Sequence, residues 1–275
     1  MFWGTDRRQP NLYMRDREII TSVHNPLVKQ LHQLARSRQE RYNQNKLILE
    51  GTHLLLEALQ YGYPLEIVGA DELWQKKHPD LWVRAHQQAQ RLITFTPAII
   101  AKIATSITPD GVIATAPLPE HNPEIKYFGL ALWYIQDPGN LGTLIRTAVA
   151  TGCEGLLLSD HCVDITNPKV IRASAGQWFR CAVQTSPNLG KTLAKYQQKG
   201  VQIVATSASA PVPYWEWDLR PPTIVLLGNE GSGLPGELLE LADGVVQIPV
   251  LNGVESLNVA IAGALLCYEV LRQRQ

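Results

Sequence analysis

The C-terminal half of the chain alternates short apolar runs with amphipathic stretches, and this alternation is the feature that most limits its fold. Continuous apolar strands separated by helices are typical of a mainly parallel sheet that is covered on both faces. The predicted strands are FGLALWYI, GLLLSD, CAVQTS, VQIVATS, TIVLLG and GVVQIP. The predicted helices are TLIRTAVAT, NPKVIRASAG, LGKTLAKYQQK, GELLELA and SLNVAIAGALLCYEVL.

The N-terminal part alternates in the same way over a shorter span, which predicts a second, smaller α/β domain. Its first strand begins at Ile19, and Pro26 opens a helix with one apolar face. The later elements are KLILEG, a helix through LLLEALQ that we expect Thr52 to cap, LEIVGA, DELWQKK, LWVRAHQQAQ, RLITFT, PAIIAKIA and DGVIATA.

A proline-rich stretch separates the two alternating parts. TAPLPEHNPEIK, residues 115–126, has three prolines and no apolar period, which is typical of a linker. Residues 1–18 lack the apolar core of a signal peptide and predict a disordered leader. We therefore expect a leader at 1–18, a domain at 19–114, a linker at 115–126 and a second domain at 127–275.

The composition excludes several classes of protein. The chain has 25 basic and 25 acidic residues, so its net charge argues neither for nor against nucleic-acid binding. No apolar run is long enough to span a bilayer, so we expect no membrane partner. The four cysteines form no C-x-x-C pair, and His161-Cys162 is isolated from other metal ligands. We expect reduced thiols in a cytoplasmic protein and no metal site.

Three glycine-containing loops follow predicted strands of the C-terminal half. Each of them offers Asn, Glu, Ser or Arg side chains. Ligands of parallel sheets bind beyond the carboxyl ends of the strands, so we expect these loops to form one site. The loops are 136–143, 228–236 and 249–258.

The first loop, QDPGNLGT, leads into a helix that we expect to begin near Thr143, with Arg146 in its first turn. A cation is unfavourable at that end of a helix. Arg146 therefore either pairs with a surface carboxylate or points at an anion or a reacting oxygen. Asn140 is either a turn residue or a group that holds Arg146.

The second loop contains the spacing G-x-G-x-x-G at Gly231, Gly233 and Gly236. A dinucleotide site also needs a long helix after the glycines and an acid at the end of the next strand, and both are missing here. A nucleotide-dependent oxidoreductase is therefore disfavoured. We interpret the loop as bare backbone that a flat ligand can approach closely, with Glu230 either solvated or part of the site.

The third loop, PVLNGVESLN, ends where the last helix is expected to begin. Ser256 is the expected N-cap of that helix, and Asn258 is a possible second cap. The same residues could instead form one wall of the site.

Three stretches resemble, in order, the signature motifs of the SpoU (TrmH-like) RNA ribose 2′-O-methyltransferases of the SPOUT superfamily. They are DPGNLGTLIRTAVATG, LLGNEGSGL and IPVLNGVESLNVAIAGALL, and the match covers about residues 128–272. ITSVHNPLVKQLHQL and KLILEGTHLLLEAL resemble the opening of the L30e-like substrate-binding domain that is often fused in front.

The resemblance implies an α/β fold of two parts: a parallel-sheet SPOUT domain with a deep trefoil knot and a smaller L30e-like domain. It implies a homodimer that binds S-adenosylmethionine and methylates a ribose 2′-hydroxyl in RNA. Large-subunit ribosomal RNA is favoured over transfer RNA. A non-catalytic RNA-binding or ribosome-assembly factor on the same fold is the alternative.

The resemblance also assigns roles to individual residues. Arg146 matches the catalytic arginine of the family, although a guanidinium is an unusual general base. It either orients the hydroxyl and stabilises the developing alkoxide or acts after local deprotonation. The other polar motif positions are Asn140, Glu230, Ser256 and Asn258, and the positions at the cofactor are Leu227, Gly228, Asn229, Ile248 and Leu257.

A basic stretch at residues 27–46 is the candidate RNA surface, read as one helix. Its basic residues include Lys29, Arg36, Arg38 and Arg41. An ordinary solvated helix face is the alternative. If the stretch binds RNA, neutralising Arg36, Arg38 and Arg41 weakens RNA binding and flattens its salt dependence.

Overall fold

The computed structural model describes residues 18–119 and 123–275. The expected leader at 1–18, apart from Glu18, and part of the expected linker lie outside the described residues. Within the described ranges, no helix has the length and hydropathy needed to cross a bilayer.

The N-terminal unit is built on a five-stranded mixed sheet in the order β1-β4-β3-β5-β2. Its strands are β1 (Glu18–Ile20), β2 (Lys46–Glu50), β3 (Leu65–Ala70), β4 (Ala89–Phe95) and β5 (Val112–Pro117). Its helices are α1 (Pro26–Arg36), α2 (Arg38–Asn43), α3 (Thr52–Gln60), α4 (Glu72–Lys77), α5 (Pro79–Gln88) and α6 (Pro97–Ile103). β5 pairs antiparallel with β2 as far as Pro117, so residues 115–117, expected in the linker, belong to the sheet.

The prediction of a single basic helix at 27–46 is wrong, because α1 and α2 are separate helices. The backbone is extended at Ser37, whose hydroxyl accepts a hydrogen bond from the backbone N–H of Glu40 and starts α2. Lys46 already lies in β2. The cap expected at Thr52 is also wrong, because Gly51 precedes α3 and the Thr52 hydroxyl instead accepts a hydrogen bond from the Trp74 indole.

The C-terminal unit contains a seven-stranded sheet in which every pair of neighbours is parallel, as predicted. The order is β10-β12-β9-β11-β6-β7-β8. The strands are β6 (Phe128–Leu132), β7 (Gly155–Ser159), β8 (Val183–Ser186), β9 (Gln202–Thr206), β10 (Val212–Pro213), β11 (Thr223–Leu227) and β12 (Gly244–Gln247). The helices are α7 (Pro138–Ala150), α8 (Pro168–Ala173), α9 (Leu189–Gln197), α10 (Gly236–Leu241) and α11 (Val259–Gln273). The two-residue strand β10 was not predicted.

Helices cover both faces of this sheet, which confirms the predicted layers. Leu130 of β6 belongs to one buried cluster, together with side chains of α7 and α11. Its neighbour Ala131 belongs to a second cluster, together with side chains of α9 and α10. Successive strand residues point to opposite faces, so each strand contributes to both cores. The trefoil knot stays a prediction.

Two helix starts differ from those predicted, and both lie in the motif loops. α7 begins at Pro138, where the Asp137 carboxylate accepts a hydrogen bond from the Asn140 backbone N–H at 2.8 Å. Arg146 therefore lies in the third turn, and the argument from a cation in the first turn is wrong. α11 begins after Asn258, whose side chain accepts from the N–H groups of Ala260 and Ile261, so Ser256 is not the cap.

Candidate active site

The three motif loops meet at the carboxyl edge of the parallel sheet, as predicted. The second and third loops line a cavity of about 510 Å³, which we call the loop cavity. Its walls include seven of the residues assigned to the site from the sequence: Leu227, Gly228, Asn229, Glu230, Ile248, Ser256 and Leu257. Thr206 at the end of β9, with Ser207 and Ser209 after it, completes one wall, and the sequence assigned these residues no role.

A chain of hydrogen bonds joins one residue from each loop. The Asn140 amide Nδ2 donates to the Glu230 carboxylate Oε1 at 2.8 Å. The Asn258 Nδ2 donates in turn to the Asn140 Oδ1 at 2.9 Å. We call these three residues the amide–carboxylate chain. The two amides are thereby fixed in orientation, with the carboxylate at one end of the chain.

Asn229 shapes the second loop. Its Oδ1 accepts hydrogen bonds from the backbone N–H groups of Gly231 and Ser232, both at 3.0 Å. Its Nδ2 donates to the Tyr134 carbonyl at 2.9 Å. Tyr134 was missed in the sequence and has a positive φ of 57°, an uncommon conformation for a bulky residue. These bonds tie the second loop to the end of β6.

The residue at position 228 has to be glycine for steric reasons. A Cβ atom there would lie 2.5 Å from the carbonyl carbon of Gly233, within the backbone of its own loop. Two other motif glycines serve helix packing instead. A Cβ at Gly142 would lie 2.3 Å from that of Ala173 in α8, and one at Gly263 would lie 2.3 Å from the Leu144 side chain in α7.

Arg146 is exposed on α7 and is not joined to the amide–carboxylate chain. It lies six residues after Asn140, which is about 9 Å along a helix axis. In the part of the chain that the structure describes, its guanidinium forms no hydrogen bond or ion pair. The surface carboxylate partner considered from the sequence is therefore not found among these residues, and the charge is available to a ligand.

A second cavity of about 560 Å³ lies beside α11 and is lined by Asn140 and Asn258 on one side. The α11 residues Ile261, Leu265 and Tyr268 line it and remain exposed. The amide–carboxylate chain thus connects the loop cavity, lined by Glu230, with an open apolar surface on the last helix.

The basic residues expected to bind RNA have different environments. Arg41 is only 3% exposed and contacts Asp164, so its assignment to an RNA surface is wrong. The Arg36 guanidinium donates to the carbonyls of Ile103 and Ala104 at the end of α6. Lys29 and Arg38 are exposed, as an RNA contact requires.

No group of three or more His, Cys, Asp or Glu side chains that could hold a metal occurs within 18–119 and 123–275. The absence of a metal stays a prediction. The six-residue helix α10 follows the glycines of the second loop. That helix is too short for the dinucleotide fingerprint.

Comparisons with known proteins agree with the motifs. Residues 127–268 match the model of the SpoU rRNA Methylase family, and residues 25–114 match the MRM3-like substrate binding domain. An uncharacterized tRNA/rRNA methyltransferase of Synechocystis is 44% identical over 93% of this chain and 94% of its own length. RlmP of Bacillus subtilis, a 23S rRNA (guanosine(2553)-2′-O)-methyltransferase, is 31% identical over 91% of this chain and 98% of its own length.

The fold agrees as well. The crystal structure of an AdoMet-bound rRNA methyltransferase from Sinorhizobium meliloti superposes with a TM-score of 0.82 at 27% identity. The superposition covers 94% of this chain and 98% of that chain. The resemblance carried by the three motifs is therefore confirmed: the chain belongs to the SpoU rRNA methylase family.

Proposed function

We propose that this chain transfers a methyl group from S-adenosylmethionine to a ribose 2′-hydroxyl in large-subunit ribosomal RNA. The observation that carries the proposal is the amide–carboxylate chain at the edge of the loop cavity, built from one residue of each motif. The similarity to a relative named for 23S rRNA favours ribosomal over transfer RNA.

The loop cavity suits S-adenosylmethionine. Its volume of about 510 Å³ lies in the usual range for small-molecule sites. Leu227, Ile248 and Leu257 offer apolar surface to an adenine ring, and the Gly228 backbone forms part of the same wall. The cofactor supplies an electrophilic methyl group on a sulfonium. The residues of the chain have to place the acceptor oxygen in line with it.

The polar motif residues act on the acceptor side. A ribose hydroxyl is a weak nucleophile and becomes negatively charged as the methyl group is transferred. Arginine stays protonated in proteins, so we assign Arg146 to orienting the hydroxyl and stabilising that charge. Asn140, Glu230 and Asn258, held by their mutual hydrogen bonds, and Ser256 on the cavity wall position the ribose.

The exposed apolar face of α11, with Ile261, Leu265 and Tyr268, supports the proposal of a homodimer. A second copy packed on this face would lie beside Asn140 and Asn258, so both active sites would be near the interface. The exposed Lys29 and Arg38 support an RNA contact on the N-terminal unit. The proposed location is the cytoplasm, where the free cysteines would stay reduced.

Mass mapping of ribose methylation tests this proposal. Ribosomal and transfer RNA are compared from cells with and without the protein, and we expect one 2′-O-methyl group of large-subunit RNA to be missing without it. Wild type should restore that methyl group, whereas Arg146→Ala should not, although it should still bind S-adenosylmethionine. Arg220→Ala, which alters an exposed ion pair outside the site, is the matched control.

Other outcomes would contradict the proposal in distinct ways. If the missing methyl group belonged to transfer RNA, the substrate would be transfer RNA and not ribosomal RNA. Near-normal turnover by Arg146→Ala would overturn the role of that residue. A complete methylation pattern without the protein, together with no binding of S-adenosylmethionine, would favour the non-catalytic RNA-binding alternative.

A further inference from the structure

Residues 164–180, which we call the docking segment, connect the C-terminal unit to the N-terminal unit. The segment contains α8 and a short 3₁₀-helix, Gln177–Arg180. Two of its ion pairs with the N-terminal unit each have at least one side chain that is almost completely buried.

The first ion pair is formed by Arg41 and Asp164. The Arg41 Nη2 donates to the Asp164 Oδ2 at 2.6 Å, and its Nε donates to the Thr166 hydroxyl at 2.8 Å. The Nη1 donates to the Leu34 carbonyl at 2.9 Å, within the N-terminal unit. Every nitrogen of this guanidinium therefore has a directional partner, and two of the three bonds cross between the units.

The second ion pair is formed by Glu50 and Arg172. The Glu50 Oε2 accepts from the Arg172 Nη1 at 2.9 Å and from the Thr105 backbone N–H at 2.7 Å. Its Oε1 accepts from the Ser106 backbone N–H at 3.0 Å. The carboxylate is thus held in the N-terminal unit by backbone donors, with one face left for the arginine of the docking segment.

Apolar contacts lie beside the two ion pairs. The ring of Tyr63 packs against the rings of Trp178 and Phe179, with centroids 6.3 Å and 5.0 Å apart. A Cβ at Gly176 would lie 2.2 Å from the Glu57 Cγ of α3. The two units therefore pack closely against each other at this interface.

The docking segment also contacts the helix that carries the motif residues. Ala173, next to Arg172, packs against Gly142 of α7, and a Cβ at that glycine would be 2.3 Å away. Gly142 lies between Asn140 and Arg146 in the sequence. A rotation of the N-terminal unit would therefore be transmitted through α8 to the active-site helix.

Buried ion pairs of this kind specify geometry more than they add net stability. The cost of removing two charges from water offsets much of their attraction. Their hydrogen bonds are nevertheless satisfied in a narrow range of orientations. Two such pairs on one segment are therefore expected to favour a single arrangement of the two units.

We propose that the docking segment fixes the N-terminal unit relative to α7 and so determines which ribose of a bound RNA reaches the methyl donor. This inference rests on the proposed function. Arg41, Glu50, Asp164 and Arg172 are positioning residues in it. They hold the domain that would bind RNA at one distance and angle from the amide–carboxylate chain.

The first test measures the arrangement of the units without any RNA. Spin labels are placed at the exposed positions Lys29→Cys and Lys195→Cys of a Cys153→Ser protein, and their distance distribution is recorded by pulsed electron resonance. We expect one narrow peak, and a broad distribution after Asp164→Asn with Arg172→Gln. Asp218→Asn, which removes an exposed charge within the C-terminal unit, is the matched control and should leave the peak narrow.

The second test measures methylation of ribosomal RNA taken from cells that lack the protein. For the double variant we expect kcat to fall by about tenfold to a hundredfold, since small displacements of reacting groups have effects of this size. Methyl groups should also appear on neighbouring riboses, while the affinity for S-adenosylmethionine stays unchanged. Arg172→Lys keeps the charge and should recover most of the activity that Arg172→Gln loses.

The two tests separate the possible failures. A broad distance distribution in the protein with an intact docking segment would overturn the fixed arrangement. A broad distribution in the double variant with normal kcat at the native ribose would overturn the positioning role. If the double variant does not fold, the positioning role is tested by comparing kcat and the methylated ribose between Arg172→Gln and Arg172→Lys. If wild type methylates no RNA, the proposed function fails and the positioning role with it, while the distances still decide the arrangement.

Discussion

Two groups of polar residues in the C-terminal unit differ in exposure and in partners. The amide–carboxylate chain lies at the open edge of the sheet and consists of two neutral amides and one carboxylate. The charges of the docking segment lie in an interface and have opposite charges as partners. The open group can exchange its partners for a ligand, whereas the buried group can lose a partner only at a large cost.

Arg146 and Arg41 show this difference for one residue type. Both lie on helices, and the sequence assigns both to contacts with RNA or its reacting ribose. The structure leaves Arg146 exposed and buries Arg41 against Asp164. The comparison teaches that burial against a carboxylate removes an arginine from contact with a ligand, whereas an exposed arginine without such a partner keeps its charge available.

The largest effect is expected at the open site, from Gly228→Ala. The new methyl group would have to occupy the position of the Gly233 backbone, so the second loop must move and the wall of the loop cavity must change. We expect the affinity for S-adenosylmethionine and kcat/KM each to fall by roughly a hundredfold. Gly236→Ala, with no atom within 4 Å of the added Cβ, is the control in the same calorimetric and turnover assays. Equal behaviour of the two variants would contradict the steric argument.

The next effect concerns the docking segment. Arg41→Met removes the buried cation of Asp164 and leaves only the mostly exposed Arg38 nearby, so we expect the free energy of unfolding to fall by about 3–5 kcal/mol. Arg38→Met changes a mostly exposed side chain near the same carboxylate and should cost less than about 1 kcal/mol. Urea unfolding of both variants measures the difference. A similar loss for both would mean that burial of Arg41 does not matter.

The pH dependence of stability is the third effect. Burial opposes the ionisation of Glu50, yet hydrogen bonds from Ser106 and Thr105 and the charge of Arg172 hold its pKa below the usual 4.5. Burial likewise opposes ionisation of Asp164, and hydrogen bonds from Thr166 and Arg41 nevertheless lower its pKa. A lowered folded-state pKa stabilises the fold above the unfolded value, and that contribution is lost as pH falls through the folded value.

We therefore expect the unfolding temperature to drop as the pH falls from about 5 towards 2. Glu50→Gln should start with a lower unfolding temperature at neutral pH and show a shallower drop over that window. Differential scanning calorimetry across the window measures both. Parallel curves for the two proteins would show that Glu50 does not contribute to the acid sensitivity.

The smallest effect distinguishes the two candidate caps of the last helix. Asn258→Ala removes the side chain that accepts from the first N–H groups of α11, and loss of a cap costs about 1 kcal/mol. It also removes the donor to Asn140, so kcat should fall as well. Ser256→Ala should leave the unfolding free energy unchanged, because that hydroxyl caps no helix. If Ser256→Ala lost more stability than Asn258→Ala, Ser256 would be the N-cap of α11, as the sequence predicts.

The parallel sheet and the meeting of the three loops were predictable, because apolar strands and glycine-rich loops are local patterns. The start of α7 was predictable in principle, since Asp137 before Pro138 is a common beginning of a helix. The glycines of QDPGNLGT instead predict a loop that continues to Thr143, and this prediction is wrong. The sequence also offers Asn258 as a cap of α11, but two possible caps only two residues apart cannot be ranked from sequence.

The environment of Arg41 could not be predicted from the sequence. Its partner Asp164 is 123 residues away, and charge counts do not show which distant carboxylate the fold brings close. The same holds for Glu50 and Arg172, which are 122 residues apart. Tyr134 gives no local signal for its positive φ, because that conformation is stabilised by bonds to Ser159 at the end of β7 and to Asn229 in the second loop.

The aromatic packing of Tyr63 on Trp178 and Phe179 limits how modular this protein can be. Cutting the chain between its two sheets would expose the rings of Trp178 and Phe179 to water. Burial of one aromatic side chain stabilises a fold by roughly 1.5–3 kcal/mol. An isolated C-terminal half would therefore carry an exposed apolar surface that favours aggregation. A chimera with a foreign N-terminal half would need a matching surface for residues 164–180, so the two halves are expected to be inherited and engineered together.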